Sequence, residues 1–243
     1  MRADRSRRYV QLMDRDRRQT VTQRVAPFAG AMERGEAPLE ELALLIALAL
    51  NPALDVVGAL ADLDQLAADC PSHTRSGVMK FLFHGPNPRL RGDTDDYHHW
   101  RNSSLDRVIA RGRGMPITLA IVAISVAQRV GVELAGVSMP GHFLIGDPHD
   151  PEWFTDPFTG AVGISRSDCR ALAATMGHTN WDEGALVPAP QRLIIARVLN
   201  NLRATCEQRH DAVRLAIVMQ LRHAMPEFAA ESVQARQSLA IFN

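Results

Sequence analysis

The chain has 243 residues, of which 46% are apolar and 22% charged, and its 27 acidic and 27 basic side chains cancel to a formal charge of +0. That composition excludes a disordered chain and supplies a core for one large domain, or for a domain with an appendage. The balanced charge argues against a dedicated nucleic-acid binder, which carries a strong basic excess.

Residues 1–25 hold eight Arg and three Asp, a local charge of roughly +5. Residues 1–36 are therefore expected to be an Arg-rich leader. A solvated leader is the simpler reading; an arm that touches an acidic partner is the alternative. Ser6-Arg7-Arg8-Tyr9-Val10 resembles a twin-arginine signal, but charged residues follow where an apolar stretch is required, so the signal is rejected. Neither Leu42–Leu50 nor Met115–Val130 is long and apolar enough to span a membrane. The expected location is the cytoplasm. Cys70, Cys169 and Cys206 lie far apart, as suits reduced thiols rather than a disulfide frame or a zinc site.

Leu39, Leu42, Leu45 and Ile46 recur at helical spacing, and Asn51-Pro52 ends that helix. Asp55 starts a second, with Val57, Leu60, Leu63 and Leu66 as its stripe. Ser76–Phe83 reads as a third, and Asn102–Arg111 as a fourth, with Asn102 as its N-cap. Pro116–Val130 is apolar on nearly every side, which places that helix in the middle of a domain. Pro116 fits its first turn and Gly131 its end. The period then changes. Glu133–Met139 and His142–Gly146 read as paired strands around Pro140-Gly141, and Trp153-Phe154-Thr155 as a third. Ser165 caps a helix to about Met176. Gln191–Gln208 and Asp211–His223 form a helical hairpin, and Pro226 precedes a last helix. The expected fold is α+β, with a leader at 1–36, a core at 37–188 and a helical tail at 189–243.

A helix start, a His and an Asp in that order are the skeleton of a Cys-His-Asp thiol site. A helix N-terminus and a neighbouring His lower the thiol pKa, and an Asp orients the ring. Gly114-Met115-Pro116, His142 and Asp156 supply the order, but Pro116 occupies the place of the thiol and has no nucleophile. Thr118, two residues on, points to another face. Cys169, near a helix start, reads as a plain buried cysteine rather than a relocated thiol. His142, His149 and Asp150, or His98-His99 with Asp95 and Asp96, read as loop contacts more simply than as metal ligands. The simplest account of His142 with Asp156 is a buried tie; a remnant pocket is the next.

Taken together, Asp95-Asp96-Tyr97, Arg101-Asn102-Ser103-Ser104-Leu105, Gly114-Met115-Pro116-Ile117-Thr118-Leu119, Pro140-Gly141-His142-Phe143-Leu144 and Asp156-Pro157-Phe158 resemble the SirB-type family of bacterial transglutaminase-like proteins over roughly residues 37–225. The resemblance implies a papain-like, transglutaminase-like core with His142 and Asp156 at the His and Asp positions of the triad. It places Pro116 where active relatives carry Cys. Asn102, Gly114, Thr118 and Gly141 become candidate binding residues. The family often continues into tetratricopeptide-like helices, and Asn201-Leu202, Arg209-His210-Asp211 and Pro226 resemble one such unit. The family's molecular function is largely unassigned; Pro116 in place of Cys, with the helical tail, leads to the expectation of a non-catalytic regulatory or interaction role through a protein partner, with no cofactor, metal, nucleic acid or membrane. A hydrolase or transferase using His142 and Asp156 as acid and base is the alternative, so the balance leans away from an enzyme.

Overall fold

The computed structural model describes residues 20–180, 182, 184 and 186–228. Helix α1 (Val21–Arg34) opens on a capping box, in which Thr20 accepts from the Gln23 amide while the Gln23 side chain accepts from Thr20 N. Val25, Phe28, Ala31 and Met32 are buried along one stripe. Thr20–Arg34 is thus part of the core rather than of the leader expected over 1–36. The surrounding arginines and Pro27, which lies on the exposed side, hide the stripe from a reading by composition. Residues 1–19 of that leader lie outside the described residues.

Three helices follow: α2 (Leu39–Leu50), α3 (Val56–Ala68, N-capped by Asp55) and α4 (Arg75–Phe83, N-capped by Thr74). The expected helix at Asn102–Arg111 is shorter. Trp100–Asn102 is one 3-10 turn, and Ser104 leads into α5 (Leu105–Arg111). Asn102 is therefore not an N-cap, because its side chain bonds elsewhere, as described below. Two short parallel strands, β1 (Arg91–Gly92) and β2 (Arg113–Gly114), pair on either side of α5. They are too short to leave a periodic trace in the sequence.

Helix α6 (Pro116–Arg129) is the axis of the fold. Ile117, Leu119, Ala120, Ile121, Val122, Ala123 and Val126 are almost fully buried. It packs on α3, α4 and α5 and on the sheet. The sheet is an antiparallel meander in the order β3 (Ala135–Met139), β4 (His142–Asp147), β5 (Asp150–Asp156) and β6 (Ala161–Ile164). The expected third strand is longer than Trp153–Thr155, and β6 was not foreseen. Its alternation is weak, with Gly163 at a register shift. Phe143 and Ile145 join the main core. Leu144 and Phe154, of opposite parity, join Val137 and Met139 in a smaller cluster against Cys169 and Ala173 of α7 (Arg166–Thr175). The tail forms the expected hairpin of α8 (Gln191–Gln208) and α9 (Ala212–His223), and α9 also packs on α1 and α2.

Gly112 ends α5 at φ +63°, and a Cβ there would stand 2.1 Å from the Arg89 carbonyl oxygen. Gly35 ends α1 at φ +73° with nothing within 4 Å of a Cβ. Gly35→Ala should cost about 1 kcal/mol for left-handed backbone alone. Gly112→Ala should cost at least about 2 kcal/mol, because the chain must also shift. Urea unfolding of the two variants measures the difference, and equal losses would show that the Arg89 contact is not a constraint.

Candidate functional site

Met139 and His142 are cross-strand partners at the end of the β3–β4 hairpin. The two-residue turn between them uses Gly141 at φ +71°. His142 Nε2 lies 2.8 Å from Asp156 Oδ1, at the far end of β5. Both side chains are almost fully buried. Asp156 accepts two more hydrogen bonds, from Phe158 N at 2.8 Å and from Thr159 Oγ1 at 2.9 Å. Burial pushes the Asp156 carboxyl up, but the His142 hydrogen bond and charge and the Phe158 and Thr159 donors outweigh it. The group is held below the usual carboxylate range. An ionised carboxylate only accepts, so Nε2 carries the proton toward it and Nδ1 is the ring atom left over. Nδ1 makes no hydrogen bond among the described residues.

The start of α6 forms the other corner. Met115 is the N-cap residue without a side-chain cap, and buried Pro116 takes the first helical position, where its missing amide hydrogen is not needed. Thr118 is fully buried and donates to the Asn102 carbonyl at 2.6 Å and to the Met115 carbonyl at 3.1 Å. A hydroxyl so committed is not poised as a nucleophile. Asn102 is also fully buried. Its amide donates to the Asp96 and Tyr97 carbonyls at 2.8 and 3.2 Å and accepts from Arg111 at 3.0 Å. Gly114 leaves room for Val108 and Thr118, which a Cβ would meet at 2.9 Å. Asn102, Gly114 and Thr118 are thus a buried brace behind the helix start, and their polar groups point into the protein rather than toward a ligand.

The brace positions the segment from Asp93 to Asn102. Arg111 Nη2 donates to buried Asp93 at 2.7 Å. From outside, Arg209, just past the end of α8, donates to the His98 carbonyl at 3.0 Å and pairs with Asp96. The segment carries Tyr97 to an edge-on contact with Phe158, ring centroids 5.6 Å apart. Phe158 in turn lies against Gly92, where a Cβ would come within 2.5 Å of its ring, and accepts from the Gly92 amide at 3.0 Å. β1, the tail and the residues after Asp156 therefore meet beside the His142–Asp156 pair.

The other candidates lie apart from this corner. Exposed His149 pairs with Glu133 at 3.0 Å, and Asp150 pairs with Arg75 at 2.8 Å. His99 caps the 3-10 turn by accepting from Arg101 N. Cys169 is buried, and burial, with Asp168 nearby, pushes its thiol up to about 11, which makes it a poor nucleophile. A cavity of about 830 Å3 lies elsewhere, between the α1–α2 connection, the end of α6 and the start of α8. No described helix is long and apolar enough to cross a membrane. Thr159 and Tyr97 were not singled out from the sequence as site residues. Thr159 carried one signal, a hydroxyl three positions after Asp156 in a Pro-containing turn.

Asp156→Asn should lower stability by about 1–3 kcal/mol at neutral pH. Because the folded carboxyl titrates below its unfolded value, its contribution is present above the unfolded value of about 3.9 and disappears as pH falls through the folded one. The gap between wild type and variant in denaturant titrations should thus close in acid. A gap that stays constant from neutral pH into that range would refute a stabilising ionised Asp156.

A family model described as transglutaminase-like superfamily matches residues 54–200. A UPF0162 protein of Xylella fastidiosa (strain Temecula1) is 38% identical over 135 residues, which is 53% of this chain and 47% of that protein. A UPF0162 protein of Pseudomonas aeruginosa is 31% identical over 173 residues, 68% of this chain and 63% of that protein. A shorter match, 33% over 57 residues, links 24% of this chain to 9% of the mouse F-box only protein 21. The chain spans about half the length of the Xylella relative and less than two thirds of the Pseudomonas one. No solved structure matches. The matched stretch covers more than half of the chain, from before α3 into α8, and takes in the axial helix, the whole sheet and both corners just described: the chain belongs to the transglutaminase-like superfamily.

Proposed function

We propose that this protein is a non-catalytic, SirB-type member of the superfamily that acts inside the cell through a protein partner. In this reading His142 and Asp156 hold two triad positions, Pro116 holds the third, and the tail hairpin is a tetratricopeptide-like unit set against the core. The observation that carries it is Pro116 itself: a buried proline at the first position of α6 has no atom that can attack a carbonyl. Burial of His142 and Asp156 and the inward bonding of Asn102 and Thr118 support it.

A second reading is favoured by one feature, the His142 Nδ1 left without a hydrogen bond beside an ionised Asp156. Such a pair suits acid–base hydrolysis without a thiol. Incubation of the wild-type chain with ester and amide substrates separates the two. The non-catalytic reading expects no turnover above buffer. Turnover abolished by His142→Ala would overturn it in favour of a hydrolase.

The assignment of Pro116 to the nucleophile position has its own test. Pro116→Cys should yield a thiolate with a pKa below about 7.5, seen by its ultraviolet absorbance during pH titration. His142→Ala in the same background should raise that value. Cys169 and Cys206, both pushed up to about 11 by burial, stay silent in the window. A cysteine at 116 that titrates as an ordinary thiol, unaffected by His142, would show that Pro116 does not face the pair.

A further inference from the structure

Helix α8 brings one charged side chain into the seam between tail and sheet. Ile194, Ile195, Val198 and Leu199 are buried there, and Arg197 is half-buried among them. Burial pulls its guanidinium below its ordinary value. Comparable arginines have acidic partners: Arg111 has Asp93, and Arg129 has Glu40 and Asp64. Arg197 has no carboxylate partner among the described residues. Its Nη1 donates to two neutral acceptors, Ser138 Oγ at 2.7 Å and the Met139 carbonyl at 2.8 Å, and its guanidinium carbon lies 5.8 Å from the Phe143 ring centroid. Among the described residues Nε and Nη2 make no hydrogen bond, which leaves the other edge of the planar fork available. Asp156 forms no ion pair with it; its described partners are His142, Phe158 and Thr159.

The place of this unspent charge is informative. Met139, whose carbonyl Arg197 holds, is the cross-strand partner of His142. Tyr97, 36% exposed, is near enough to feel this charge: burial raises its phenol while Arg197 draws it down. A partly desolvated guanidinium with an unused planar edge matches a carboxylate in charge and in two-point geometry.

We propose that Arg197, with Tyr97 beside it, is a carboxylate-binding subsite adjoining His142, and that it anchors a ligand carboxylate: that of a free organic acid or of a peptide C-terminus. This goes beyond the non-catalytic reading by naming the chemistry of what binds beside His142, and it stands or falls separately from that reading.

The test titrates the full chain with three probes and follows the Arg197 Nε–H and His142 ring signals by NMR. The probes are glutarate, N-acetyl-alanyl-alanine with a free carboxylate, and the C-terminal amide of that dipeptide. A saturable response to the free-acid dipeptide but not its amide identifies a peptide end; a response to glutarate alone identifies a free acid. Arg197→Gln should weaken either by about tenfold or more. Ser138→Ala, which removes one neutral tie and keeps the fork, should leave the affinity in place. No saturable response to either acid, an amide that binds as well as the acid, or undiminished binding by Arg197→Gln overturns the proposal. If Arg197→Gln does not fold, the acid-against-amide comparison on the wild-type chain decides alone. Failure here is separable from failure of the non-catalytic reading. Turnover of esters or amides would remove that reading and leave carboxylate binding standing; absence of both turnover and binding would remove only the subsite.

Discussion

A buried carboxylate cannot be left without donors, and the geometry of this site follows from how Asp156 is satisfied. Its three donors come from the His142 ring, the Phe158 amide and the Thr159 hydroxyl. The last two lie in the turn just after β5, so the turn is fixed by the charge it surrounds. The first lies across the sheet and sets the orientation of the imidazole. An unpaired Asp156 would cost several kcal/mol, enough to remove a large part of the stability of a domain this size. The same bond that suits a catalytic dyad is therefore needed by the fold whether or not chemistry occurs.

The tail is joined to this corner rather than appended to it. Arg209, at the C-terminal end of α8, holds the backbone of the Asp93–Asn102 segment from outside, while Asn102 and Arg111 hold it from within. Trp100, in the same segment, lies under the Arg214 guanidinium of α9 at 4.3 Å. Tyr97 thus takes its position from both the core and the tail hairpin. The hairpin, the Asp93–Asn102 segment and the His142 corner are thus mechanically linked.

The parts of this arrangement differ in how far they can be read from residues alone. The axial helix is legible because an apolar run with Pro at its start and Gly past its end has few other solutions. The β3–β4 hairpin and the His142–Asp156 pairing are legible because order and turn chemistry carry them. Helix α1 is not, since its four buried positions are diluted by arginines that compose a charged segment when merely counted. The β1–β2 pair is not, because two residues per strand have no period. Asn102 was assigned as a helix cap because Asn before an apolar run is a common cap. Its actual role depends on Asp96, Tyr97 and Arg111, which a local rule does not weigh together. Arg197 shows the limit most clearly. Its position in the helix is readable, but the lack of an acidic partner among the described residues is a property of three-dimensional neighbours.

The start of α6 makes few demands on the chemistry of its first residue, Pro116. The first position of a helix requires a compatible φ and makes no demand on the backbone hydrogen, and proline meets the requirement better than most residues. The bond that closes the first turn, from the Leu119 amide to the Met115 carbonyl, is present at 3.0 Å. The Thr118 hydroxyl secures the same turn by donating to the Asn102 and Met115 carbonyls, without involving residue 116. The structural work of the helix start is thus done by its neighbours, and residue 116 is free to change in chemistry without changing the fold. The His142–Asp156 tie has no such freedom, because Asp156 must keep its donors.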